Sequence, residues 1–196
     1  MANKTANVRD FVGNFVGSHF RLADNWFNFV AVEYKPINYL EIGAFYGANI
    51  ISVAKSYAAH PESRLYCIDI WQDYNDYNEY EGQQDEIFKN FQLNIDNNKL
   101  QDKIVLFKNF SHKIIPTLED DFFDIIYIDG NNRSDYVLED AILSFRKLKI
   151  GGVMIFDDYG LNDTTTGIDA FVSAFCKRID VIIIAHYMQT FIRKLN

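Results

Sequence analysis

The chain has 196 residues, 48% of them hydrophobic, with 27 acidic and 19 basic side chains and a formal net charge of −8. This composition is globular rather than disordered, and the length suits one α/β domain. The acidic balance disfavours a nucleic-acid partner, and no stretch reaches the ~20 apolar residues of a membrane span, so a cytoplasmic compartment without a membrane partner is expected.

Phe11, Phe15, Phe20, Trp26, Phe27 and Phe29 are spaced for one or two short helices, so residues 1–35 predict a helical cover. Residues 36–196 predict the α/β core of one domain spanning 1–196. Pro36 interrupts helix and leads into a strand, INYLEIG. A helix over residues 49–58 follows, with Ile50, Ile51, Val53 and Ala54 toward the sheet and His60 and Pro61 ending it. RLYCIDI is the next strand, and WQDYNDYNEYEGQQDE predicts a long loop up to a helix around residues 87–95. KIVLF is a strand, Ser111 predicts an N-cap for HKIIPTL, and Pro116 ends or kinks that helix. FDIIYID is a buried strand, and SDYVLEDAILSFRKL is an amphipathic helix stopped by Gly151 and Gly152, with Lys147 and Lys149 at its solvated end. GVMIFDD is a strand, Thr164 to Thr166 precede a helix through Cys176, and VIIIAHYMQTFIRKL predicts two antiparallel strands around a tight turn. Cys67 and Cys176 both read as small buried hydrophobes.

Strand and helix alternate, and runs such as IIYI and VMIF suit a parallel sheet covered on both faces. The expected fold is an α/β, Rossmann-like doubly wound sheet of about seven mostly parallel strands. Ligands of such sheets bind beyond the carboxyl ends of the strands. The residues there include Glu41, Gly43, Ala44, Gly47 and Asn49 after the first strand. Their glycine spacing is GxxxG rather than GxGxxG, and Glu41 would repel a pyrophosphate while suiting an amine. Asp69 ends the second strand, where a carboxylate can accept ribose hydroxyls, and Trp71 reads either as a neighbour of adenine or as core. Ser111 and His112 follow the third strand. Asp129 ends the fourth, and Asp157 and Asp158 end the fifth, a gathering of carboxylates that repel unless a proton or divalent cation intervenes.

YLEIGAFYGANI resembles the cofactor loop of class I S-adenosylmethionine methyltransferases. YCIDIW, NFSHKIIPTL, FDIIYIDG and LKIGGVMIFDDY follow in the order of the catechol O-methyltransferase-like branch, close to macrocin and other sugar O-methyltransferases, over residues 38–194. The resemblance implies strand order 3-2-1-4-5-7-6, with the last strand antiparallel and helices on both faces. It implies S-adenosyl-L-methionine as cofactor, with Glu41, Gly43 and Ala44 beside its methionine portion. Asn49 would then hold its carboxylate, Asp69 its ribose, and Ser111 and His112 its adenine. Asp129, Asp157 and Asp158 would hold Mg²⁺ or another divalent cation, Asp129 also touching the cofactor. The family often has a lysine or histidine shortly after Asp129, where this chain has Asn131 and Asn132. In its place either the metal lowers the pKa of the acceptor hydroxyl, so that methylation is metal-assisted, or His112 or a carboxylate such as Asp129 accepts the proton.

The implied reaction is methylation of a hydroxyl on a small-molecule or sugar acceptor. The aromatic N-terminal segment and the loop bearing Tyr74, Tyr77 and Tyr80 are the expected acceptor wall, and a homodimer is the candidate assembly. Two competing readings are a non-catalytic cofactor-binding protein and a nicotinamide-dependent oxidoreductase.

Overall fold

The computed structural model describes residues 15–17, 23–31, 33–73 and 80–196. Phe11, Phe20, Tyr74 and Tyr77 lie outside them. The strands are β1 (Asn38–Ile42), β2 (Arg64–Asp69), β3 (Ile104–Lys108), β4 (Phe123–Ile128), β5 (Leu148–Phe156), β6 (Ile179–His186) and β7 (Gln189–Lys194). They form a seven-stranded sheet of order β3-β2-β1-β4-β5-β7-β6. The first five pair in parallel, while β7 runs antiparallel to β5 and β6, as expected. Helices α1 (Ala48–Lys55), α2 (Gln84–Asn97), α3 (Ser111–Ile114), α4 (Ser134–Lys147) and α5 (Asn162–Phe175) connect the strands.

Alternation along each strand divides the core between the two faces of the sheet. Tyr39, Cys67, Tyr127, Ile155 and Phe191 join one cluster, with α1 and α2. Leu40, Ile42, Ile126, Ile128, Met154 and Ile192 join the other, with α4 and α5. Register sets Cys67, Glu41, Tyr127, Ile155 and Phe191 side by side across five strands. An acidic side chain therefore enters an otherwise apolar row. A short 3₁₀ helix, Ala23–Asn28, covers part of this face. Its Trp26 is fully buried 5.2 Å from the Tyr127 ring, and its Nε1 donates to Gln189 Oε1 at 2.9 Å.

Several local expectations need correction. The first helix stops at Lys55 and gives way to a turn over 56–58, before His60 and Pro61 are reached. α2 starts at Gln84, so the end of the supposed loop is helical. Ser111 is the first residue of α3, whose N-cap is the extended Phe110 without a side-chain cap. α4 ends before the glycines because Leu148 turns extended and pairs at once with Phe123, leaving Gly151 and Gly152 inside β5. Thr164 to Thr166 lie within α5. Lys147 is buried, with its Nζ 2.6 Å from Asp120 and from the Leu118 carbonyl oxygen, and Lys149 pairs with Asp124. Cys67 is buried but Cys176 is exposed. Trp71 resolves as core, packed between Phe88 and Phe91, with its Nε1 donating to the Phe45 carbonyl.

Candidate active site

A cleft of about 1050 Å³ opens at the carboxyl ends of the parallel strands. Glu41, Gly43, Ala44, Asn49, Asp69, Ser111, His112, Asp129, Asp157 and Asp158 all lie on its wall, so the expected residues come together except for one. Gly47 is that exception. Its φ of 84° starts α1, and a Cβ there would come within 2.9 Å of Phe91, so it serves the packing of α2 on the loop. Gly43 has φ 85°, and an added Cβ would sit 1.9 Å from the Asp129 carbonyl oxygen. Only a glycine lets the first loop lie this close to the end of β4.

Glu41 is buried. Tyr39, two residues before it, shares its face of β1 and donates its hydroxyl to Glu41 Oε2 at 2.5 Å. Asn49 on α1 donates Nδ2 to the same carboxylate oxygen and to the Tyr39 hydroxyl, each at 3.0 Å. Burial pushes the Glu41 carboxyl up to about 8 against the pull of both hydrogen bonds, and nearby Asp69 adds to the rise. The buried Asn49 Oδ1 is left without a partner among the described residues.

Asp69 braces the first loop. Its Oδ2 accepts the backbone N–H groups of Ala44 and Phe45, both at 2.9 Å, and its Oδ1 accepts that of Trp71 at 3.0 Å. Burial still raises its carboxyl above the ordinary range, despite these amides.

Asp129 and Asp157 meet at the hydroxyl of Tyr127, which shares one proton between Asp157 Oδ2 at 2.9 Å and Asp129 Oδ2 at 3.2 Å. Burial holds the Asp129 carboxyl well above the usual range, and repulsion from Asp157, Asp158 and Glu41 adds to the effect. Asp158 departs from the expected trio. With φ 58° its chain turns, and its Oδ2 accepts from Asn132 Nδ2 at 3.2 Å. Among the described residues, no group of three or more His, Cys, Asp or Glu side chains is arranged to hold a metal ion. The expected three-carboxylate cation site therefore does not fit the side chains as they stand. Asn131 and Asn132 act locally: Asn131 Oδ1 accepts the Arg133 N–H at 2.8 Å, and the Asn132 carbonyl accepts the Thr164 hydroxyl at 3.1 Å.

A protein-family model described as a methyltransferase domain matches residues 40–159, from β1 through the end of β5. The chain belongs to this methyltransferase family. No curated protein matches it. Among solved structures, the fold of this methyltransferase is similar to that of the O-methyltransferase NovP, at 17% identity and a TM-score of 0.65, over 96% of this chain and 78% of that one. It is also similar to the S-adenosylhomocysteine-bound methyltransferase PaMTH1 of Podospora anserina, at 18% identity and TM-score 0.61, over 82% and 73%. A Clostridium thermocellum protein assigned as an rRNA-methylase gives 14% and 0.63, over 82% and 87%.

Three residues on or behind the wall of this methyltransferase's cleft escape a reading of strand ends: Asp140 lines it, while Tyr39 and Tyr127 bond to its carboxylates from within the sheet. Tyr39 and Tyr127 lie inside apolar strands, where a tyrosine reads as core. Asp140 lies inside α4 and is buried, and its carboxyl is pushed up to about 7 by burial, against the pull of the nearby Ser111 hydroxyl. The missed signal for Asp140 is a charge on the buried stripe of Val137, Ala141, Ser144 and Phe145.

Proposed function

We propose that the cleft binds S-adenosyl-L-methionine and that the chain methylates a hydroxyl of a small-molecule or sugar acceptor. The corner formed by Glu41 and Asn49 carries this reading. A buried acceptor without a donor is destabilising by about 1–3 kcal/mol. An α-ammonium group would satisfy the Asn49 oxygen and give Glu41 a counter-charge. The unpartnered Asn49 oxygen is an acceptor, which suits the ammonium of an amino-acid ligand. The same acidic corner opposes the pyrophosphate of a nicotinamide dinucleotide.

When bound, the cofactor supplies a methyl group made electrophilic by a positive sulfonium. The chain holds and orients. Asp69 fixes the amides of Ala44 and Phe45 and stands on the cleft wall, where it can accept a ribose hydroxyl. Ser111 and His112 line the base end of the cleft. Asp129 takes the proton of the acceptor hydroxyl, freeing an oxygen lone pair for in-line attack. A carboxyl with a raised pKa is a stronger base once ionised, and a positive ligand nearby favours ionisation. Tyr127, donating to Asp129 and Asp157, holds the two carboxylates in place. No step needs a metal. His112 is the alternative base.

The rRNA assignment of one fold neighbour leaves the acceptor class to charge, and a net −8 favours a small acceptor over RNA. The test is transfer of a labelled methyl group to a panel of phenols and sugars. Label in a hydroxyl acceptor, lost in Asp129→Asn but kept in His112→Gln, is expected. Label entering only RNA, or none in any acceptor, would overturn the proposal.

A further inference from the structure

α2 buries one stripe, made of Ile87, Phe91, Asn94 and Ile95. Asn94 breaks the apolar run, and asparagine is a weak helix former better suited to caps and turns. The residue is fully buried, so its amide must find partners inside the protein. It finds them in the backbone of two other segments. Nδ2 donates to the Val16 carbonyl at 2.8 Å and to the Tyr46 carbonyl at 3.0 Å, while Oδ1 accepts the Val16 N–H at 2.8 Å. A side chain that both donates and accepts can pair in this way with one residue's backbone, as a neighbouring strand does.

Gly17 extends the contact. Its φ is 105°, and a Cβ there would come within 2.4 Å of the Tyr46 ring, so residues 15–17 lie directly on that ring. Tyr46 meets Phe45 edge-on at 4.4 Å, Phe45 meets Tyr80 at 5.0 Å, and all three line the cleft. The first loop is thus held at two points. Asp69 holds the amides of Ala44 and Phe45 from the cleft side, and Asn94 holds the Tyr46 carbonyl from the side of residues 15–17. Three consecutive residues carry both attachments, a contiguous hydrogen-bonded path between the cleft and the segment.

We propose that Asn94 is a positioning residue that latches residues 15–17 onto the first loop, and that this docking is coupled to occupancy of the cleft. The inference rests on the S-adenosyl reading above. Undocking removes two of the three bonds of the Asn94 amide and uncovers the Tyr46 ring. The docked segment therefore sets the aromatic wall that a ligand meets. A ligand that fits the docked form of the loop favours docking, and docking favours the ligand by the same factor.

The test reads amide hydrogen exchange at Val16 in the full chain, with and without saturating S-adenosyl-L-homocysteine. This N–H is bonded to Asn94, so its exchange reports docking directly. The ligand should slow it by about 5-fold or more. Asn94→Leu keeps a similar volume and removes all three bonds, and Gly17→Ala drives the segment off the Tyr46 ring. In each variant Val16 should exchange faster, the effect of the ligand should vanish, and affinity for S-adenosylhomocysteine should fall by up to the factor lost at Val16. A purely structural Asn94 would affect melting temperature alone, with wild-type exchange at Val16 the same in the presence and absence of ligand; that result overturns the inference. So does a ligand effect kept in Asn94→Leu, or in Gly17→Ala should the first variant not fold. A wild type that does not bind S-adenosylhomocysteine overturns the cofactor reading itself, and this inference with it.

Discussion

Glu41 connects binding to proton release. Its carboxyl sits at about 8 because burial outweighs the bonds from Tyr39 and Asn49, so most molecules carry a proton there at neutral pH. A cationic amine placed beside it favours the ionised form. S-adenosylhomocysteine binding at pH 7 should therefore expel a proton, detected as a binding heat that varies with the ionisation enthalpy of the buffer; Glu41→Gln should remove that dependence. Stability follows the same sign. A pKa raised from 4.5 to about 8 gives a contribution that is complete below pH 4.5 and is lost as pH rises through 8. Glu41→Gln should flatten this alkaline decline in melting temperature, and an unchanged decline would show that other buried carboxyls govern it. Asp69→Ala should weaken S-adenosylhomocysteine by about 1–3 kcal/mol and also lower the melting temperature, because the loop amides lose their acceptor. Lost affinity without lost stability would point to ribose contact alone. Glu41, Asp69 and Asp129 were legible in the sequence because a polar residue ending an apolar strand must emerge at the sheet's carboxyl edge. What each carboxylate bonds was not legible, since Asp69 is engaged by amides that only a particular loop conformation directs toward it.

At the scale of elements, the strands could be read because burial on both faces leaves continuous apolar runs. Helix boundaries were less legible. Ser111 looks like a cap, yet Phe110 takes the extended backbone and leaves the serine inside the helix, without a side-chain cap on the first turn. Gly151 and Gly152 look like a stop, yet Leu148 already pairs with β4. The N-terminal 3₁₀ helix is tied to the site through Trp26, which packs on Tyr39, Tyr57 and Tyr127. Trp26→Ala should destabilise the fold by about 3–5 kcal/mol, read by chemical denaturation, because the cavity opens under a fully buried ring and Gln189 loses its donor. It should also loosen Tyr127, so turnover at a temperature where the variant stays folded should fall more than cofactor affinity does. Equal losses in both would confine Trp26 to packing.

Across the whole molecule, topology aligns the ends of β2, β1, β4 and β5 along one cleft and puts acidic side chains on each. The gathering of carboxylates was predicted from strand order, but their detailed bonding was not. Tyr127 enters between two of them from inside a strand, and Asp158 accepts from Asn132, so the described side chains do not form the three-carboxylate cluster that suggested a divalent cation. Turnover should accordingly persist in excess EDTA. Abolition by the chelator with recovery in Mg²⁺ would mean that Asp129, Asp157 and Asp158 rearrange around an ion. The central claim is that this cleft is an S-adenosyl site, and calorimetry of the wild-type chain with S-adenosyl-L-homocysteine and with NAD tests it most directly. The account predicts one saturable site per chain for the first and no heat for the second; saturable NAD binding without S-adenosylhomocysteine binding would contradict it.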